Sequence, residues 1–336
     1  MVSLRKLAFT LLAYTATPAL STPIAHPRDL PTTLTTRFTP FNVGHVDQVG
    51  GKKFTNFNNQ PIGTGGAAHI YEGVMDGQRV VIKICRQEPN GDQHYLELCR
   101  GEITVMKELE GILEGHAPKL LAHDDNGSQV RIVMNRAEGG DLFDATSDGY
   151  AKSLDGKSRR KIAKDILGIV TKLHAEGWAY RDLSLENIMF ADANKADGTL
   201  WLIDPAWAID GESKFSGGVT EHYLAPELIA SREGEKSEPI DQRPADVYAV
   251  GIDMLIFVCG INMNFFTSKG YFPLNLSTKD RQQKLQSILG KYYKLVGNKD
   301  LLNLLAQMIE PNPANRITAK DALNKVQNLK DYDFNL

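Results

Sequence analysis

The tightest constraint on this chain is one stretch, Tyr180-Arg-Asp-Leu-Ser-Leu-Glu-Asn-Ile-Met189, followed after a short polar segment by Trp201-Leu-Ile-Asp204. Asp182 and Asn187 stand five residues apart in a loop that leads into an apolar strand. An acid and an amide so placed can share one substrate: the acid accepts a hydroxyl proton and the amide oxygen holds a metal. Asp204 closes a second apolar strand. A carboxylate there suits a hard cation such as Mg2+, which takes one or two carboxylates together with phosphate oxygens. Any single aspartate of this kind also serves as a turn or helix cap, so the pattern counts only as a set.

Upstream lie pieces that are weak one at a time. Ile62-Gly-Thr-Gly-Gly-Ala-Ala-His-Ile70 places Gly63, Gly65 and Gly66 between two strands. Glycines let backbone amides approach phosphates closely, although a plain hairpin turn has the same composition. Lys83 ends the apolar run Val80-Val-Ile, and Glu102 follows on a helical segment. A lysine there can neutralise phosphate oxygens if an acid holds it; taken singly, both are ordinary surface charges.

The periodicities divide the chain near residue 137. Ile70–Val74, Arg79–Cys85, Pro118–Asp124 and Gln129–Met134 read as strands, with a hairpin turn at 75–78. Between them, Cys99, Ile103, Met106, Leu109 and Leu113 fall on one face of a helix over 92–113. Beyond Gly139-Gly140 the pattern turns helical. Ile162, Ile166, Ile169, Val170 and Leu173 form one stripe that Gly177 closes, and further helices are expected at 244–259, 279–289, 299–309 and 318–329. The fold class is α+β, in two lobes: a β-rich N-lobe with one helix over 52–136 and a helical C-lobe over 137–332.

In this order and spacing the motifs resemble those of the eukaryotic protein kinase family, over about residues 52–330. The matching residues are Gly63 and Gly65, Lys83, Glu102, Asp182 with Asn187, Asp204, and Ala225-Pro-Glu227. Asp246-Val-Tyr-Ala-Val-Gly251 resembles the family's buried aspartate helix, and Arg316 the arginine that pairs with the Ala-Pro-Glu glutamate. The resemblance implies ATP and Mg2+ as cofactors and a protein substrate. It implies that Lys83, held by Glu102, contacts the α- and β-phosphates, that Asn187 and Asp204 hold Mg2+, and that Asp182 deprotonates the acceptor hydroxyl. Ile62, Ile70, Val81 and Met189 would enclose the adenine. Met134 would be the gatekeeper and Asp141 would meet the ribose. Arg181 would bind a phosphate on the activation segment, expected at Ser216, and Thr220 stands where Ser/Thr acceptors are favoured.

Departures temper this. Asp204-Pro-Ala206 stands where the family has Asp-Phe-Gly, which removes an aromatic ring, a backbone N–H and a flexible glycine. Less switching of this segment is expected, with one fixed pose. Ser184 replaces the lysine that Ser/Thr kinases carry near the γ-phosphate, which implies slower transfer. Residues 191–198 read as a surface insertion. A secreted pseudokinase that binds nucleotide or protein partners is the alternative. A small-molecule kinase is disfavoured by the Ala-Pro-Glu segment, Asp246 and Arg316, which build a protein-substrate platform in this family.

Arg5 and Lys6, the apolar run Leu7–Tyr14, Pro18 and the small residues up to Ser21 have the layout of a secretory signal peptide over 1–21. The apolar block is continuous rather than amphipathic, which disfavours a mitochondrial presequence. It is also short of the ~20 residues that span a bilayer. Residues 22–51, rich in Thr and Pro, read as a linker or pro-segment, so the protein is expected in the secretory lumen or outside the cell. The sequons at Asn126 and Asn275 agree with that route but add little. A net charge of −3 gives no basic footprint for nucleic acid. Three cysteines are too few for a disulfide scaffold. Cys259 sits in an apolar helix; Cys85 and Cys99 could pair between strand and helix, which sequence alone leaves open.

Overall fold

The computed structural model describes residues 46–56, 60–64, 68–87, 93–195, 198–213, 223–232, 238–259 and 299–334. Gly65, Ser216, Thr220, the 279–289 stretch, Asn275 and the leader lie outside the described residues.

The N-lobe is an antiparallel sheet of seven strands. β1 (Val46–Val49), β2 (Lys52–Asn56), β3 (Gly63–Thr64), β4 (Ala68–Met75), β5 (Gln78–Arg86), β6 (Leu120–Asp125) and β7 (Gln129–Asn135) run in the order β1-β2-β4-β5-β7-β6, with β3 on the far end of β4. β2 and β3 both pair with β4, at Phe54↔Met75 and Gly63↔Ile70, so they edge the same strand on either side of an interruption. The turn between β4 and β5 uses positive φ at Asp76 and Gly77, the signature of a tight hairpin.

Alternation along β5 sorts its side chains. Val80, Ile82 and Ile84 join Phe54, Tyr71 and Val133 in one cluster, whereas Cys85 joins Leu96, Cys99 and Ile103 on the other face, under helix α1 (His94–Leu109). The sheet curls until β1 meets β6. Arg131 pairs with both Asp47 and Asp124, and Gly50 donates its N–H to Asp124 at 3.2 Å. Only glycine fits at position 50: its φ is +55°, and a Cβ would lie 2.7 Å from the His123 carbonyl.

β1 corrects the expectation of a linker or pro-segment over 22–51, because the sheet begins at Val46. Four residues are too short a run for alternation to register, and the strand exists because Val46 and Val49 pair with Thr55 and Lys52. Helix α1 ends at Leu109, four residues before the apolar period does; Leu113 still packs in the core, on a turn beyond the helix.

The C-lobe is built on α4 (Gly156–Ala175), preceded by the short helices α2 (Leu142–Ser147) and α3 (Tyr150–Ser153). Asp155 caps α4 by accepting from Ser158 N at 2.8 Å, its apolar stripe is buried, and Gly177 leaves it with φ +88°. Helix α6 (Arg243–Asp253) continues into a π-helical turn, Met254–Val258, and residues 245–258 are buried throughout. A helix buried all round marks the centre of its lobe. Around it lie α5 (Pro226–Arg232), α7 (Lys299–Met308) and α8 (Ala319–Asn328), in one core with α4. Two small ribbons, β8 (Trp178–Ala179) with β11 (Ile209–Asp210) and β9 (Ile188–Phe190) with β10 (Leu200–Leu202), carry the loops of the site. No helix among the described residues is long and apolar enough to cross a membrane.

Candidate active site

β5 and α1 build the first half of the site. Lys83 leaves β5 on the face that meets α1, and its ammonium lies 2.8 Å from Glu102 and 2.7 Å from Asp204. Lys83 and Glu102 are buried, whereas the Asp204 side chain is about half exposed. Burial works against the Lys83 charge, but Asp204 and Glu102 outweigh it and hold the ammonium above its ordinary value. Burial pushes the Glu102 carboxyl up; Lys83 opposes that push and Asp204 adds to it.

The second half is the loop from Tyr180 to Asn187. Its geometry is set from below by Asp246 on α6. The Asp246 carboxylate accepts the backbone N–H groups of Tyr180 and Arg181, each at 2.7 Å, and lies 3.0 Å from the His174 ring. Arg181 takes a positive φ of 73°, which such anchoring can hold in place. The chain then turns so that Asn187 Nδ2 donates to the Asp182 carbonyl at 2.9 Å and to its carboxylate at 2.8 Å. Ile203 N donates to Asn187 O at 3.0 Å, which ties the loop to the strand that presents Asp204.

Asp204 itself has φ +59° and opens a 3-10 turn, Pro205–Trp207. The proline costs that turn nothing, since the first N–H of a helical turn has no internal partner. The pose places Asp204 on Lys83. Tyr180, buried as a core aromatic, donates its hydroxyl to Ile203 O at 2.6 Å from the other side. Ser184 is buried, and Asn187 N donates to its carbonyl at 2.9 Å.

Among the residues expected to enclose the base, Ile62 is exposed, Gly63 pairs with Ile70, and Val81 pairs with Met134. Met189 bridges Asp141. The Asp141 carboxylate accepts from Asp144 N at 2.6 Å and so caps α2, a structural duty beside the one expected of it. A cavity of about 260 Å³ lies between Met106, Leu109, Met134, Tyr180, Leu202 and Asp204.

Glu227 and Arg316 form the expected buried pair, with contacts of 2.6 and 2.8 Å. Arg316 also donates to the carbonyls of Pro244, Glu310 and Pro311 and stacks on Tyr248. Every remaining hydrogen-bond donor is thereby given work, as a buried guanidinium requires. Cys259 is buried, and its thiol is pushed up to about 12 by burial, as an inert core cysteine should be.

One feature was not singled out in the sequence, and a second was left open there. Asp253, at the end of α6, is fully buried, and among the described residues neither carboxylate oxygen has a hydrogen-bond partner. Burial pushes it well above the ordinary carboxylate range, and the charges of Glu186 and Asp182 add to this. Its signal was a lone acid inside Val250-Gly-Ile-Asp-Met-Leu-Ile256. The second is the Cys85–Cys99 disulfide, which joins β5 to α1.

Mg2+ can be tested against this donor set. Asn187 gives Nδ2 to Asp182, so Oδ1 is the atom left for a cation, and Asp204 supplies a carboxylate. Among the described residues no three His, Cys, Asp or Glu side chains form a metal cage. Two hard oxygen ligands, completed by phosphate oxygens, fit Mg2+.

Comparison with known proteins agrees with this geometry. The family model of the protein kinase domain matches residues 57–326. The maternal embryonic leucine zipper kinase of Xenopus laevis is 30% identical over 282 residues, 79% of this chain and 38% of that protein. Calcium-dependent protein kinase 13 of Arabidopsis thaliana is 29% identical over 244 residues, 70% of this chain and 42% of its own. CBL-interacting serine/threonine-protein kinase 20 of the same plant is 25% identical over 275 residues, 76% of this chain and 54% of its own. The matches thus span between about two fifths and half of these relatives' lengths. A lysine held by a helix glutamate, an Asp/Asn loop hung from a buried aspartate and a metal-type carboxylate on that lysine occur here within the matched region, and the chain belongs to the protein kinase family.

Proposed function

We propose that this protein transfers the γ-phosphoryl group of Mg2+-bound ATP to a serine or threonine hydroxyl of a protein substrate, within or beyond the secretory pathway. The observation that carries the reading is the convergence of Lys83, Glu102 and Asp204 within 2.8 Å, in the same lobe interface as Asp182 and Asn187.

Lys83 stays charged and sits where a nucleotide's phosphate oxygens need neutralising. Asp182 is oriented by the Asn187 amide, which leaves its carboxylate able to accept the proton of the incoming hydroxyl. As that oxygen bonds to the γ-phosphorus, the bond to the ADP oxygen breaks and the proton moves to Asp182. Mg2+, held by Asp204 and Asn187, would neutralise charge on the phosphates. The rate is lowered by the absence of a lysine at Ser184, because one charged contact at the transition state is worth about 10²–10³.

Serine and threonine are favoured by Thr220 and by the printed description of one relative. The secretory route is supported by the leader pattern and by the Cys85–Cys99 disulfide, since such bonds persist in oxidising compartments. Phosphoamino-acid analysis of a mixed peptide library, incubated with Mg2+ and ATP, tests the acceptor: phosphoserine and phosphothreonine are expected, and phosphotyrosine alone would contradict it. A protein that binds Mg2+ and ATP but transfers nothing would be the pseudokinase.

A further inference from the structure

Strand β5 and helix α1 are joined at two points. Lys83 and Cys85 are two residues apart on β5 and share its helix-facing side; Cys99 and Glu102 are three apart on α1 and share one helical face. One joint is ionic, Lys83 to Glu102 at 2.8 Å; the other is covalent, Cys85 to Cys99, with Cα atoms 6.6 Å apart. The covalent joint sits one helical turn before Glu102.

The ionic joint is a poor clamp. One ammonium faces two carboxylates, and the Asp204 charge opposes that of Glu102. Nor is α1 strongly self-supporting, since Gln93 makes no side-chain cap and Gly101 lies mid-helix. The disulfide answers this weakness at the right place, with Cys85 and Cys99 buried among Leu96, Ile103, Met106 and Ile132.

We propose that the Cys85–Cys99 disulfide is a positioning element of the active site: it keeps α1 docked so that Glu102 stays on Lys83 whether or not nucleotide is bound. The proposal rests on the kinase reading above only for its effect on transfer. The bond opens by two-electron exchange with a dithiol. A thiolate of the dithiol attacks one cysteine sulfur and the other cysteine leaves as a thiolate. The second thiolate of the dithiol then closes its own disulfide and frees the first cysteine, and both protein thiolates take up protons. Because both sulfurs are buried, the attack must wait for α1 to lift from β5, so reduction of the folded protein is slow.

The test compares the full chain, made in an oxidising secretory host, with its Cys85→Ala/Cys99→Ala variant; Cys259→Ala controls for a lost core thiol. Peptide mapping without reductant should find the disulfide, and free thiols at both positions would overturn the proposal. Amide hydrogen exchange in α1 should quicken at least tenfold in the double variant while α6 is unchanged. The kcat at saturating ATP should fall at least tenfold with the KM for the protein substrate unchanged. Unaltered α1 exchange overturns the proposal, and so does equal loss of protection in α6, which would make the bond a general staple. If the double variant does not fold, wild type reduced by excess dithiothreitol takes its place, with thiols counted by mass. If wild type transfers no phosphate, the exchange comparison still decides the clamp, and only the kinase reading fails.

Discussion

At the scale of single residues the account turns on charge held in place. Lys83→Met removes the ammonium that two carboxylates share. Phosphoryl transfer should fall by about 10²–10³, with the far-ultraviolet circular dichroism unchanged, and an unaltered turnover number would remove Lys83 from the site. Asp253 offers a test through stability. Its carboxyl lies above its unfolded value, because it is buried near Glu186 and Asp182. The folded state therefore holds the extra proton, and stability falls as pH rises out of the unfolded carboxylate range towards the folded value. Asp253→Asn abolishes that titration. At pH 7 the variant should be the more stable of the two, and below pH 4 the two proteins should converge. Urea melts across this range check it; parallel curves would mean that Asp253 is ionised and paired. The charged residues of the site were legible because their chemistry is tied to fixed spacing along the chain. Asp253 was not, because one acid in an apolar helix acquires meaning only from the carboxylates that other segments bring near it.

At the scale of elements, α6 does the supporting. Its Asp246 hangs the Tyr180–Asn187 loop, and the carbonyl of Pro244 takes a bond from Arg316. Arg316→Ala leaves Glu227 buried without its partner, at 5% exposure. Removing one member of a buried pair costs about 3–5 kcal/mol, and that loss should appear in the denaturation midpoint. A change within about 0.5 kcal/mol would mean that the pair does not hold the C-lobe together. Periodicity read from sequence located β4, β5, β7, α1, α4, α6 and α8 because each presents one apolar face, or is apolar all round, over enough residues to repeat. β1 escaped, since its four residues take their identity from β2 and from the salt bridges of Arg131. The Cys85–Cys99 pairing stayed open for a related reason: it depends on how far apart two backbones lie, which spacing along one chain does not state.

At the scale of the whole molecule, the two lobes meet where Lys83 reaches Asp204, and the Asp-Pro-Ala sequence does not prevent that contact. The departures from the family pattern thus leave the ionic framework in place and remove only one charge, at Ser184. Protein recovered from culture medium should begin between about residues 19 and 25, which N-terminal sequencing would show; an intact Met1 or Val2 start would contradict export by the leader. The central claim is that this framework transfers phosphate rather than merely binding nucleotide. Single-turnover transfer from Mg2+-bound ATP to a protein acceptor, measured on purified wild type and on Asp182→Asn, tests it most directly. The account predicts slow transfer by wild type and a rate at least about 10² lower in the variant, because the proton then has no base to accept it. Equal rates in the two proteins, or no transfer by either, would contradict it.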